Sequence, residues 1–396
     1  MLQNKEKIKE LLTRGVDKII EFEHLKKDLE SGKKLRVKLG LDPTSPNLHL
    51  GNSVCLLKLR DFQELGHQIV LILGGFTAQI GDPSDKLQKR PFLSEAEVKK
   101  NLKGYKEQIG KILEIDKVEW HNNSEWLAKL NFQDISRLAE IFTVRQMLTR
   151  RGFRERDRRG EEISLREFLY PLMQGYDSVA IKADLEIGGS DQLFNLKAGR
   201  EVQKFYYQKP QDIMTLQMIE GLDGEKMSKT RKNIINLFDS PDEQFGKIMS
   251  MRDELIIKYF ILCTRLPLKE INEMEEAMKT GANPKDFKAK LAYEIVKMYH
   301  GEKEAEKAAK EFNKIFQKKE LPTKMPIYKM KIGLYNITEL LVKTGLALSK
   351  SEAQRLIKQG AVKINNQVEK NWKKQIKIES EMIIRVGKRK FVKLDI

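Results

Sequence analysis

From Leu35 to about Ile219, short apolar runs alternate with longer stretches whose apolar residues recur at helical spacing. Leu35 to Leu41 reads as a strand, and Leu50 to Leu65 as an amphipathic helix ended by Gly66. Ile69 to Leu73 is a near-continuous apolar run, the mark of a parallel strand covered on both faces. Val118 to His121, Ala183 to Ile187 and Ile213 to Leu216 read as further strands. The alternation predicts an α/β fold built on a Rossmann-like, doubly wound parallel sheet, although no GxGxxG dinucleotide fingerprint is present. Ahead of it, Ile8, Leu11, Leu12, Ile19, Ile20 and Leu25 fall at helical spacing and predict a helical N-terminal arm, with Gly15 as a possible break.

Beyond Ser240-Pro241 the strand alternation stops, and helical periodicity runs to about Gln317 with an interruption at Gly281 to Pro284. Four segments are expected: a nucleotide-binding catalytic domain with its arm (1–240), an α-helical domain (241–320), a Pro- and Lys-rich linker (321–333) and a small α+β module (334–396). In the last, Ile337 to Val342 and Lys350 to Lys358 read as helices. Val362 to Val368 reads as short strands around an Asn365-Asn366 turn, and Ile383 to Val386 with Lys390 to Leu394 as a closing hairpin.

Composition adds a polyanion partner. Among 396 residues, 74 Lys+Arg stand against 57 Asp+Glu, a net charge of +17 that points most simply to nucleic acid. No long basic amphipathic helix with an aromatic face favours a membrane surface, no stretch is apolar enough to span one, and no secretory segment opens the chain. Two distant cysteines, Cys55 and Cys263, fit neither a disulfide framework nor a metal site, and a reducing cytoplasm is the expected compartment.

Three stretches carry candidate chemistry. Lys38 to Asn52 reads as strand, Pro-bearing turn and helix start, where unpaired N–H groups suit a polyphosphate. There His49 could donate to a phosphate, and Gly51, lacking a Cβ, would admit a base or ribose; an ordinary helix cap is the alternative. Gly224 to Thr230 holds Lys226 and Lys229 in a Gly-flanked loop that could close on departing phosphates, or could be a solvated turn. Tyr170, Gln174 and Asp177 share one helix face at i, i+4 and i+7, as would any half-buried polar face. Arg145 to Arg159 is either a solvated helix end or a surface that tracks phosphates.

His49-Leu50-Gly51-Asn52 matches the HIGH signature, and Lys226-Met227-Ser228-Lys229-Thr230 the KMSKS loop, of class I aminoacyl-tRNA synthetases. Leu341 to Ala353, followed by Arg355-Leu356-Ile357-Lys358-Gln359-Gly360, is similar to an S4 RNA-binding domain. In that combination, and over nearly its whole length, the chain resembles the bacterial tyrosyl-tRNA synthetases. The resemblance implies that Asp177 accepts the phenol of L-tyrosine, that Tyr170 and Gln174 hold its ammonium, and that Thr77, Asp82 and Gln192 surround it. It places Gly188, Gly189 and Asp191 under the ATP ribose, and gives phosphate contacts to Thr44, His49 and Asn52. Lys226, Lys229 and Thr230 would close on pyrophosphate, and Arg355 and Lys358 would meet tRNA-Tyr. It also implies Mg²⁺ with ATP but no tightly bound cofactor or dedicated metal site, and a homodimer with contacts after His121. Two positions depart from the pattern: Asn52 replaces the second His of the signature, and Lys38 stands where many members carry a tyrosine that touches the substrate phenol. Three rivals are a tryptophanyl enzyme, a non-enzymatic RNA-binding protein, and a small-molecule nucleotidylyltransferase.

Overall fold

The computed structural model describes residues 2–84, 92–225, 227, 233–316, 325–387 and 390–396. The chain divides into two compact units: residues 1–240 with 247–301, and residues 241–246 with 302–396. The helical stretch expected to stand alone at 241–320 is thus shared between them.

The first unit is organised by six strands: β1 (Val16–Ile20), β2 (Arg36–Leu41), β3 (Gln68–Leu73), β4 (Val118–Asn122), β5 (Leu185–Gly189) and β6 (Asp212–Leu216). They pair in the order β1-β6-β5-β2-β3-β4, parallel from β6 to β4. The five strands expected from the apolar runs are all present. Ile69, Val70 and Leu71 of β3 are fully buried, as a strand covered by helices on both faces requires.

The N-terminal arm is not wholly helical. Helices Leu2–Thr13 and Phe22–Glu30 flank β1, which pairs antiparallel with β6 at the sheet edge. Gly15, at φ +64°, ends the first helix, and the β-branched pair Ile19-Ile20 then fits a strand whose exposed Asp17 and Lys18 blunt the edge. Arg14 fixes the arm by donating to the carbonyls of Phe260, Ile261, Thr264 and Leu266, at the end of helix Ile256–Cys263. One guanidinium thus meets carbonyls of the helix's last turn and of the segment that leaves it.

What positions the site is the order of the central strands. The chain leaves β2 for β3 on one side and later returns to β5 on the other, so the crevice opens at the carboxyl ends of β2 and β5. Registered pairing of β2 with β3 runs through all six residues, from Arg36 opposite Gln68 to Leu41 opposite Leu73. Pairing of β2 with β5 is confined to Val37–Leu185 and Lys38–Glu186.

In the second unit, β7 (Ile327–Lys329), β8 (Leu334–Asn336), β9 (Val362–Ile364), β10 (Gln367–Glu369), β11 (Gln375–Lys377), β12 (Ile383–Val386) and β13 (Lys390–Asp395) form two sheets. Helices Ile337–Lys343 and Lys350–Lys358 pack on them around Leu340, Leu341, Ile357, Val362 and Ile384. Asn365 and Asn366 both have positive φ, the geometry of a two-residue hairpin turn. The segment expected as a linker contains β7, which pairs in parallel with β13. Among the described residues no helix is long and apolar enough to cross a membrane.

Candidate active site

A cavity of about 620 Å³ lies over the carboxyl ends of β2 and β5. On one side, Thr44, His49, Gly51 and Asn52 line it from the turn and helix after β2. Gly188, Gly189, Asp191 and Gln192 line it from the end of β5, and Tyr170, Gln174 and Asp177 from helix Leu165–Ile181. Thr77 and Asp82 come from the loop after β3.

At the first of these, His49 is the N-cap of helix Leu50–Glu64. Its Nδ1 accepts from the Gly51 N–H (3.1 Å), while Asn52 Oδ1 accepts from the His49 N–H (3.0 Å), a reciprocal cap. With Nδ1 accepting, the proton of the neutral ring sits on Nε2, and the Asn52 amide nitrogen is its remaining donor. Both assets, donors and the positive helix end, suit an anion. A Cβ at Gly51 would lie 2.9 Å from the His49 ring and 3.1 Å from Met227 Sδ, so only glycine fits there.

Met227 brings in the lysine loop. Lys226, Lys229 and Thr230 lie outside the described residues, but the loop's flanks are fixed beside the His49 turn. Leu222 N–H donates to the Asn233 carbonyl at 3.0 Å, closing the loop's base. Leu50 N–H donates to the Ile235 carbonyl (3.0 Å) and Leu237 N–H to the Leu48 carbonyl (2.9 Å). Met227 and Ile234 line the same cavity.

The other end is drier and richer in carboxylates. Asp177 is 3% exposed; Trp126 Nε1 donates to its Oδ1 at 2.7 Å and Asn123 Nδ2 to its Oδ2 at 3.2 Å. Burial pushes its carboxyl up to about 7, against the pull of the Lys38 ammonium and those two donors. Asn123 also donates to Thr77 Oγ1 (2.9 Å), Thr77 to Asp42 Oδ1 (2.7 Å), and the Tyr170 hydroxyl to Asp42 Oδ2 (2.8 Å). Burial and the Asp42 carboxylate hold the Tyr170 phenol far above its ordinary value, so it stays a donor. Beside it, Asp82 accepts from Gln192 Nε2 (2.7 Å) and Arg150 Nη2 (3.2 Å), and Asn195 Nδ2 donates to Gln174 Oε1 and Gln192 Oε1.

The expected residues on 44–192 therefore converge on one cavity. Asp42 and Asn123 line it too without having been singled out, and behind the lining Trp126, Arg150 and Asn195 donate to Asp177, Asp82 and Gln192. Asp42 and Asn123 had a usable signal, since each immediately follows a parallel strand at its ligand-facing end. The arginine-rich stretch is not uniformly solvated either: Arg150 is buried on Asp82, and Arg156 is buried against Glu167 at 2.6 Å. Arg355 and Lys358 are exposed on their helix in the second unit, with Lys358 Nζ 6.0 Å from the Trp372 ring.

Comparison with known proteins decides the family. Residues 5–317 match the model for class I tRNA synthetases (W and Y), and residues 317–394 the model for a tyrosine–tRNA ligase SYY-like C-terminal domain. The tyrosine–tRNA ligase of Thermotoga maritima is 50% identical over 97% of this chain and 96% of its own length. That of Carboxydothermus hydrogenoformans is 49% identical over 97% of both. The chain belongs to the tyrosine–tRNA ligases of class I. The enzyme shares its fold with the tyrosyl-tRNA synthetase of Archaeoglobus fulgidus solved with L-tyrosine, at a TM-score of 0.63 and 24% identity over 77% of this chain and 99% of that one. It activates L-tyrosine with ATP and transfers it to tRNA.

Proposed function

We propose that the cavity divides the enzyme's work between its two ends. Asp177 accepts the phenol proton of tyrosine, while Tyr170, Gln174 and Asp82 hold its ammonium and Thr77 and Gln192 complete the wall. Gly51, Gly188, Gly189 and Asp191 hold the adenosine of ATP. A tyrosine carboxylate oxygen attacks the α-phosphorus, and the bond to the bridging oxygen breaks to release pyrophosphate. Thr44, His49 and Asn52 donate to the phosphate oxygens as charge moves onto them; Lys226, Lys229 and Thr230 close on the leaving pyrophosphate. Positioning and charge stabilisation supply this step, with no side chain needed as acid or base. A ribose hydroxyl of the terminal adenosine of tRNA-Tyr then takes the acyl group, and AMP leaves.

The observation that carries this reading is the shared cavity: Asp177 lines it from one helix, and His49 and Met227 from two segments far apart in sequence. Mg²⁺ enters with ATP on the phosphate oxygens. The exposed helix carrying Arg355 and Lys358 binds tRNA outside the acceptor end, and the enzyme works as a cytoplasmic homodimer. Exposed Phe132 and Val144, after His121, support the dimer contact, and the free cysteines Cys55 and Cys263 support a reducing compartment.

ATP–pyrophosphate exchange tests the division. Wild type should exchange with tyrosine and not tryptophan, and Lys229→Ala should slow exchange with little change in tyrosine affinity. An unchanged rate in Lys229→Ala would remove that lysine from the mechanism.

A further inference from the structure

Lys38 is a lysine in the middle of a parallel sheet, and it is 0% exposed. It does not line the cavity, although its neighbours Leu39 and Gly40 do. Its three N–H bonds meet three acceptors from two other elements. Glu186 Oε1 on β5 lies at 2.8 Å, the Gln174 carbonyl at 2.8 Å and Ser178 Oγ at 2.7 Å. Glu186 closes the ring, since it also accepts from Gln174 Nε2 at 3.1 Å and from Ser178 Oγ at 3.3 Å, and takes a further bond from Gln211. The pair sits at the last registered position between β2 and β5.

We propose that Lys38 is a positioning residue for tyrosine binding: its ammonium pins the turn Gln174–Ser178 to Glu186 on β5, and so sets where Gln174 and Asp177 meet the amino acid. The proposal rests on the assignment of those two residues to substrate. It gives the position a role different from the direct phenol contact that the family resemblance attached to a tyrosine there. A buried ion pair is a costly way to gain stability alone, because an apolar pair of the same shape often does as well. What the charge adds here is directional: three bonds fix one turn of a ligand-facing helix against a strand. It also adds a positive field at Asp177. Among the described residues the charged and titratable groups acting on Asp177 are Lys38 from β2, Glu186 from β5 and Tyr170 on its own helix, whose hydroxyl is bonded to Asp42 beyond β2. The neutral donors Trp126 and Asn123 come from the segment after β4, with the His121 ring 5.5 Å from Trp126. Lys38 is the lone cation in that group, and it opposes the effect of burial.

The experiment is steady-state ATP–pyrophosphate exchange on the full-length enzyme, comparing wild type, Lys38→Met and Lys38→Met/Glu186→Gln. The double variant removes both charges, so it keeps the test readable if the single variant, with Glu186 left buried and unpaired, does not fold. KM for tyrosine should rise by about tenfold while KM for ATP and kcat stay within about threefold. In Lys38→Met the acid limb of kcat/KM for tyrosine should also move to higher pH by about one unit, a readout that loosened packing alone does not shift; in the double variant the loss of the Glu186 charge offsets that of Lys38, and the split between the KM values is the readout. Parallel losses in all constants with an unmoved pH limb, a wild-type tyrosine KM in either folded variant, or loss of fold in both variants each make the pair purely structural and overturn the proposal. Asp177→Asn serves as the control. If it too binds tyrosine normally, the assignment of the pocket has failed, whereas normal binding in the Lys38 variants alone removes only the role of Lys38.

Discussion

The two ends of the cavity are made of different materials. At the His49 end the polar groups are local: a helix start, its cap and a glycine, within four consecutive residues. At the Asp177 end they are assembled from β2, the loops after β2, β3 and β4, and helix Leu165–Ile181. Each carboxylate there already has partners before any substrate arrives. A helix terminus offers partial charge to any phosphate and discriminates little. A buried carboxylate discriminates sharply, because a ligand without the matching donor leaves it unsatisfied. The tyrosyl enzyme is the standard worked case of such discrimination, at roughly five decades against phenylalanine. On the proposed assignment turnover and choice are separable in this molecule, and each should break without the other.

The largest effect should come from the phosphate end. His49→Ala removes a donor to developing charge, and kcat should fall about 10²–10³-fold in pre-steady-state adenylate formation, with tyrosine Kd nearly unchanged. Next is stability. The Asp177 carboxyl titrates at about 7 in the folded empty enzyme, above its ordinary value of 3.8. Between those values the unfolded chain has lost the proton that the folded chain keeps, so stability falls as pH rises through that window and stays lowered above it. Asp177→Asn should therefore unfold at higher denaturant concentration than wild type at pH 8, by on the order of a few kcal/mol, and show little difference at pH 4. A less stable variant at pH 8 would mean that the carboxylate is not held at that cost.

On the proposed assignment the same titration governs binding: the phenol donates to the ionised Asp177 carboxylate, so kcat/KM for tyrosine should fall by up to about tenfold per pH unit below 7, while KM for ATP stays flat. The smallest effect belongs to the cap. Asn52→His restores the more usual signature but still offers one donor, and should change kcat by less than about fivefold. A change of a hundredfold would show that charge at this position matters more than the local geometry implies.

Sequence reading reached these two ends unequally, for the same physical reason. The His49 end is local, and strand, turn, cap and glycine are written in consecutive residues. The hairpin at Asn365-Asn366 was legible likewise, since two adjacent asparagines supply the positive φ its turn needs. At the Asp177 end, Trp126 reaches Asp177 across 51 positions and Tyr170 reaches Asp42 across 128. Periodicity is silent on such pairs. It was also silent on Arg150 and Arg156, whose charge reads as surface until a buried carboxylate is placed beside each. β1 was missed because Ile19 and Ile20 fit a helical period, and only pairing with β6 makes them a strand.

The most direct measurement is the ratio of kcat/KM for tyrosine to that for phenylalanine, by ATP–pyrophosphate exchange, in His49→Ala and Asp177→Ala. The ratio should survive in His49→Ala, with both substrates slowed alike, and should collapse by at least about a hundredfold in Asp177→Ala. A ratio that survives loss of Asp177, or that collapses with loss of His49, contradicts the division of the site into an end that chooses and an end that turns over.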